Sequence, residues 1–310
     1  PLVPLRGPSS PTSLTHICRK WRDIALATPQ LWRSILLRAP GDDRVPLEWL
    51  ERSGLSPLCI QMQLDEQARL HPQTLAAILL HQQQWEYVDL TLGEDEMALL
   101  QGPMPLLRVL ILSVEDSGSS RRPNINACDF PRLHVLWLDG FIHMQLGDWF
   151  PWSQLTSLRL TNMDSSTYLS ALNGAVKLVE LNLINCFQYG KKDLPDVNLP
   201  LLENFLLVDS DSEPYFPREL DTFILPSVHT LQVPAAFLGH EMPLDIFASF
   251  VAKSGCASLE KVPITGDSWA ISRRAFRRRF PAITFATNGG YDWFKRRRGD
   301  EEDDPESDPE

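Results

Sequence analysis

The chain has little cysteine and none of it is paired in sequence. Cys18, Cys59, Cys128, Cys186 and Cys256 lie at least 41 residues apart, with no C-x-x-C. An odd, dispersed set excludes a disulfide framework and reads as reduced thiols. There is no N-x-Ser/Thr sequon and no basic-then-apolar leader, so the expected localisation is cytoplasmic, nuclear or both. No apolar run approaches the ~20 residues that span a bilayer, so no membrane association is expected. Catalytic signatures are missing as well: no G-x-G-x-x-G, P-loop, H-E-x-x-H or G-x-S-x-G, and the seven histidines show no ligand spacing. His16 and Cys18 fall on different faces of the helix expected there, which argues against a metal pair. The expectation is a protein that is not an enzyme, with no catalytic residue, metal or cofactor.

Charge of one sign is scarce outside the C-terminus. The net charge is −11, but eight of the negatives fall in residues 300–310, leaving about −3 on residues 1–299. A body so close to neutral does not favour a large basic face, so no nucleic acid is expected as a partner. With 43% hydrophobic and 22% charged residues, the chain has the composition of an ordinary globular protein large enough for a sizeable core.

What the sequence does have is a phrase, L-x-x-L-x-L with conservative swaps, repeated eight times at spacings of 22 to 31 residues. It begins at Trp85, Leu107, Leu133, Leu155, Leu178, Leu202, Val228 and Leu259, and Pro105, Pro131, Pro200 and Pro226 each stand two residues upstream of a copy. A short strand with alternate apolar residues cannot bury itself, so each unit needs a stacked neighbour. The intervals are long enough for a return crossover, which makes the strands parallel. Helices are expected from Pro72 to Gln84, from Ser165 to Leu172 with Asp164 as cap, and from Pro243 to Lys253 closed by Gly255.

The repeats resemble the leucine-rich-repeat family over residues 83–266. The fullest copy, Leu178-Val-Glu-Leu181-Asn-Leu183-Ile-Asn-Cys186, matches the L-x-x-L-x-L-x-x-N/C consensus. The resemblance implies an α/β fold, a leucine-rich-repeat solenoid with a curved parallel sheet and an irregular or helical convex side. It also implies that Cys186 satisfies backbone groups at the turn, while Glu115, Phe141 and Ser210 at the equivalent positions make other turns irregular. Side chains between the inward leucines point to the concave face. That makes Tyr87, Asp89, Trp137, Asp139, Arg159, Glu180 and Asn182 the candidate partner-binding residues. Trp137 beside Arg159 has the composition of a hot spot, unless residues 113–129 cover it.

The N-terminal segment carries a second pattern. Leu14, Ile17, Cys18, Trp21, Ile24 and Ala25 fall on one helical face, Pro29 ends that helix, and a short second helix is expected to carry Leu31, Trp32 and Ile35. The wording Ile17-Cys18-Arg19-x-Trp21-Arg22-x-Ile24-Ala25 followed by Pro29-x-Leu31-Trp32 resembles the second half of an F-box of the kind common in mushroom-forming fungi. The usual Leu-Pro opening and first helix are not matched, because four prolines among residues 1–11 cannot form that helix. What the resemblance implies is docking on a Skp-type adaptor of a cullin ubiquitin ligase. Leu14, Ile17, Cys18, Trp21, Ile24, Leu31 and Trp32 would then either pack the module or face the adaptor.

The expected organisation is a partial F-box-like helical module over residues 1–39, a connector and N-terminal cap over 40–82, and a repeat array with its C-terminal cap over 83–286. A basic then acidic disordered tail would occupy 287–310. Residues 295–298 read either as an import signal or as a solvated cationic block, and Asp267-Ser268 as the cap of the last helix. The expected function is a receptor that brings an unknown protein substrate to a ligase. The alternative is a repeat scaffold with no ubiquitin role.

Overall fold

The computed structural model describes residues 5, 10–37, 44–62, 71–115, 125–141, 146, 147, 149–186, 195–208, 220–238, 242–265 and 273–287. The cationic block at 295–298 and the expected cap at Asp267 lie outside these residues.

Eleven strands form one parallel sheet. They are β1 (Ser34–Leu37), β2 (Leu58–Met62), β3 (Trp85–Gly93), β4 (Val109–Glu115), β5 (Val135–Asp139), β6 (Ser157–Thr161) and β7 (Glu180–Ile184), followed by β9 (Asn204–Val208), β11 (Thr230–Pro234), β12 (Lys261–Thr265) and β13 (Thr284–Thr287). The sheet runs in chain order, while β8 (Val197–Asn198) and β10 (Phe223–Ile224) form a separate parallel pair. The architecture is therefore mixed α/β, and every step along the sheet is one repeat along the chain.

Alternation explains which face is core. In β5 the side chains of Leu136 and Leu138 are buried, while Val135, Trp137 and Asp139 are half-exposed, and β6 repeats this with Leu158 and Leu160 inside. Register aligns Leu110, Leu136, Leu158, Leu181 and Phe205 across neighbouring strands, so each inward side chain packs on its equivalents above and below. Only stacking removes that apolar surface from water.

The turn into each strand repeats too. The N–H groups of Leu107, Leu133, Leu155, Leu178, Leu202 and Val228 donate to the carbonyls of Met104, Phe130, Trp152, Ala175, Leu199 and Leu225, three residues earlier. All six of those earlier residues are buried. Pro105, Pro131, Pro200 and Pro226 thus occupy the second position of a four-residue turn, where their fixed φ suits the geometry. One carbonyl then accepts two N–H groups from the next repeat. The His134 carbonyl takes Thr156 at 2.9 Å and Ser157 at 3.1 Å; the Thr156 carbonyl takes Val179 at 2.9 Å and Glu180 at 3.0 Å; and Val179, Glu203 and His229 continue the series.

Leaving the strand, the chain enters the left-handed region at Gly140 (φ 79°), Asn162 (φ 54°) and Asn185 (φ 49°), one residue after β5, β6 and β7. Asn tolerates this conformation better than most residues. Here its side chain also helps, since Asn162 Nδ2 donates to Asp139 Oδ1 at 2.8 Å and Asn185 Nδ2 to Asn162 Oδ1 at 3.4 Å. Cys186 Sγ lies 3.4 Å from the Leu160 carbonyl and 3.5 Å from that of Ile184.

Helices cover the other side of the core. α3 (Arg44–Ser53), α4 (Pro72–Leu80) and α5 (Glu94–Met97) lie in the first part, and α6 (Ser165–Leu172) is capped by Asp164, whose Oδ1 accepts from the Thr167 N–H at 3.0 Å. α7 (Pro243–Ser254) stops at Gly255 in the left-handed conformation (φ 61°). Together with α8 (Arg273–Arg279) it buries Phe247 and Phe276 against Phe285 of β13, with ring centroids 4.9 to 5.7 Å apart. This aromatic cluster seals the apolar end of the stack.

The N-terminal segment departs from the expected single helix. It breaks into α1 (Pro11–Leu14) and α2 (Arg19–Leu26), because Cys18 is extended (φ −158°) and stands at the N-cap of α2. Just before the break, Ser13 Oγ donates to the Ser10 carbonyl at 2.7 Å and Thr15 Oγ1 to that of Thr12 at 2.6 Å, sharing these oxygens with the backbone N–H groups of Ser13 and Thr15. The second expected helix is only a 3-10 turn, Pro29–Leu31, and Ile35 lies in β1 because pairing with β2 overrides local preference.

Two glycine positions give a test of these turns. A Cβ at Gly140 would collide with the Val114 carbonyl oxygen, whereas one at Gly255 meets open space. Gly255→Ala is expected to lower unfolding free energy by about 1 kcal/mol from conformation alone. Gly140→Ala is expected to lower it by at least ~2 kcal/mol, because backbone must also move. Urea titration of the two variants checks the order.

Candidate functional site

Two surfaces stand out, one on the sheet and one on the N-terminal helices. The sheet face opposite the leucines carries Tyr87 and Asp89 from β3, Trp137 and Asp139 from β5, Arg159 from β6, and Glu180 and Asn182 from β7. All seven are half-exposed. Parallel register sets Asp89, Ile111, Trp137, Arg159, Asn182 and Leu206 in one row, with Gln61 and Gln232 at its ends. A second row runs through Tyr87, Ser157, Glu180, Asn204 and Thr230. A cavity of about 350 Å³ spans these rows, and a neighbouring one of about 460 Å³ opens towards Asp139 and Thr161.

Trp137 and Arg159 line both hollows. The guanidinium carbon of Arg159 stands 5.0 Å from the centroid of the Trp137 ring, a cation–π contact that register dictates, since the two are direct cross-strand partners. Trp137 Nε1 is buried with no hydrogen-bond partner among the described residues. Gln61 Nε2 donates to Asp89 Oδ2 at 2.9 Å, and Ser157 Oγ lies 3.3 Å from Glu180 Oε2. Burial, helped by the negative charge of Asp89 and by Cys59, pushes the Tyr87 phenol up to about 12. It therefore remains a neutral hydrogen-bond donor on this face.

Gln61, Asn204 and Thr230 escaped the sequence reading although each left a signal. Asn204 and Thr230 hold the same place in their phrases as Glu180, two residues after the opening leucine or valine. Gln61 lies in β2, whose Leu58, Ile60 and Met62 alternate inward.

The second surface is α2. Trp32 is fully buried, its Nε1 donates to the Ala25 carbonyl at 2.9 Å, and its ring meets Trp49 edge-on at 5.3 Å. Arg52 covers another side of the indole at 4.7 Å. Ala25 and Trp32 thereby fix α2 to the first repeats. The residues expected to share the buried face with them do not: Ile17 is 60%, Trp21 47% and Ile24 48% exposed. Cys18 is exposed, and Leu14 and Leu31 are half-buried against the core. Of the seven N-terminal candidates, Leu14, Leu31 and Trp32 pack the module, while Ile17, Cys18, Trp21 and Ile24 face outward.

No family model matches the chain, and no curated protein is significantly similar to it. Its function has to be read from these two surfaces. Among the described residues no helix is long and apolar enough to cross a membrane, and no three His, Cys, Asp or Glu side chains gather to hold a metal ion. A further hollow of about 430 Å³ lies at the entry to the strands and is lined by Glu86, Arg108, Arg132 and His134. There Arg33 is ion-paired to Glu86, with Arg108 3.8 Å away from the same carboxylate.

The raised Tyr87 value carries a sign. A phenol whose folded-state value exceeds its ordinary 10.0 adds stability that is fully present below pH 10 and lost as pH rises towards 12. Replacing Tyr87 by Phe is expected to flatten the fall in stability over that interval and to remove one phenolate from the late part of the ultraviolet titration. Unchanged late titration in Tyr87→Phe would contradict the environment described.

Proposed function

We propose that this chain is a leucine-rich-repeat protein with an F-box-like N-terminal module, acting as a substrate receptor. It binds a protein target on the strand face and connects it to a cullin-type ubiquitin ligase through a Skp-type adaptor. The mechanism is proximity: the receptor performs no chemistry and raises the effective concentration of the target at the transferring enzyme.

The observation that carries this reading is the exposed apolar pair Trp21 and Ile24 on an anchored helix, with exposed Ile17 just before it. Trp21 and Ile24 are three residues apart on α2 and so share one of its sides, and Ile17 lies just before the N-cap at Cys18. A folded protein rarely leaves a tryptophan and two isoleucines together in water unless a partner covers them. The inward neighbours Ala25 and Trp32 hold α2 on the repeats, so whatever docks there is tied to the strand face at a fixed distance. The unpaired cysteines support a reducing compartment, which we take to be cytoplasm or nucleus.

A pull-down with purified Skp-type adaptor tests the proposal. Trp21 is a surface side chain, so Trp21→Ala is expected to leave the thermal midpoint unchanged while weakening adaptor binding by about 30-fold, the effect of truncating a ~2 kcal/mol hot spot. Ile24→Asp is expected to act in the same direction. Absence of adaptor binding by the parent chain would instead favour a repeat scaffold with no ligase.

A further inference from the structure

In three neighbouring repeats the residue that follows the opening position of the phrase is ionisable: Glu86, Arg108 and His134. The Arg108 N–H donates to the Glu86 carbonyl at 2.9 Å and the His134 N–H to the Arg108 carbonyl at 3.1 Å. Backbone pairing thus holds the three on successive steps, about 4.8 Å apart. The next two copies carry Thr156 and Val179 at this place, so the feature is local to the entries of β3, β4 and β5.

Ion pairing here is incomplete. The Glu86 carboxylate is paired to Arg33 through one oxygen, and its other oxygen stands 3.8 Å from Arg108. Arg33, which also donates to Cys59 Sγ at 3.5 Å, is thus taken up by protein partners. Arg132, exposed in the turn before β5, has no acidic partner among the described residues, and Glu86 is the one acid among those lining the hollow. Three guanidiniums against one carboxylate leave two positive charges unmatched, on Arg108 and Arg132, around a hollow of about 430 Å³. Like charges held on neighbouring strands repel, and an anion placed between them removes that repulsion.

The remaining walls narrow the choice of anion. His134 Nδ1 lies 3.1 Å from the Arg132 carbonyl, which orients the ring and leaves Nε2 without a partner among the described residues. Pro57 and Leu106 add apolar surface. A carboxylate carries one charge, and a single guanidinium fork fills its two oxygens. A phosphate monoester carries about −1.5 to −2 at pH 7 and has three terminal oxygens. Two unmatched charges and nitrogens from three side chains fit the phosphate better. The volume falls within the ~300–1,000 Å³ of small-ligand sites, so the group that bears the phosphate has room against Pro57 and Leu106.

We propose that the hollow at the entries of β3 to β5 binds a phosphate monoester, with Arg108 and Arg132 on its oxygens, His134 beside them, and Glu86 neutralised by Arg33. A phosphorylated side chain of a partner protein and a small free phosphate share this chemistry. Where the source is a protein, the site makes capture of the target depend on a phosphoryl group, a step that rests on the receptor reading. The site itself rests on neither that reading nor α2.

The test uses the full-length purified chain without adaptor. Fluorescence anisotropy is measured at about 0.15 M salt with a labelled Gly/Ser peptide of about six residues that carries one phosphoserine, and with its unphosphorylated twin. The phosphopeptide is expected to bind at least about 10-fold more tightly, and Arg108→Gln and Arg132→Gln each to lose about 10-fold, the effect of one charged hydrogen bond. Both arginines are exposed, so the thermal midpoint is expected to stay unchanged. Arg132→Lys, which keeps the charge and loses the fork, is expected to recover only part of the binding. Inorganic phosphate as competitor separates the sources: displacement at the phosphopeptide's own dissociation constant assigns the site to phosphate alone, and displacement only at about 10-fold higher concentration or more assigns it to a phosphorylated segment. Equal binding of the two peptides would overturn the proposal, as would phosphopeptide binding that survives the Arg108→Gln, Arg132→Gln double variant. The latter would move the anion to another cationic surface, such as the exposed Arg274, Arg277 and Arg278 of α8. Adaptor pull-down on the same preparation reports separately on the receptor reading, so phosphopeptide binding without adaptor capture would remove the ligase and leave the site.

Discussion

The structure depends on a repeated arrangement, in which a backbone carbonyl at each strand entry from β4 to β11 accepts two N–H groups from the repeat that follows. The bonds from Thr156 and Ser157 to His134, and from Val179 and Glu180 to Thr156, are copies of one another. The same connection at the steps from β4 to β12 fixes register there, and register fixes which side chains face the core. A slip of one residue anywhere would move Leu136 and Leu138 outward and Trp137 inward. Stability in such an array is approximately a sum of repeat and nearest-neighbour terms, so each interface supports only those beside it. The two ends, where one neighbour is missing, need separate closure: Trp32 and Trp49 provide it at the start, and the Phe247, Phe276 and Phe285 cluster at the finish.

The same register constructs the polar face. Because the strands pair in parallel, with a register shift between Leu58 and Cys59, residues far apart in sequence become direct neighbours: Gln61 meets Asp89, and Trp137 meets Arg159. Among the described residues the face is lined by strand residues. The face is preorganised by the backbone, and recognition there draws on rows of side chains whose spacing is set at ~4.8 Å.

The N-terminal helices obey a different constraint. Their inward contacts are few, chiefly Ala25 and Trp32, and their outward residues include three large apolar side chains. This helix is held in place by one tryptophan hydrogen bond and a T-shaped ring contact while keeping much of its apolar surface in water. The C-terminal end contrasts with it, since its large aromatics are almost completely covered.

The residues of the ladder were legible from sequence because the strand period is two and the phrase repeats it: Leu178, Leu181 and Leu183 mark an inward edge and thereby assign Glu180 and Asn182 outward. Caps were legible for the same local reason, Asp164 through its carboxylate and Gly255 through its missing Cβ. By contrast, the break at Cys18, whose backbone is extended, is something a helical wheel does not register. β1 and β13 were unmarked because four-residue strands become strands only when a neighbour pairs with them. The sequence by itself determined the inward and outward sides of each strand, since alternation is a local property of extended backbone. Only the tertiary structure decided that Asp89, Trp137, Arg159 and Glu180 share one trough and that Ile17, Trp21 and Ile24 stay uncovered, because both depend on register and packing between segments remote in the chain.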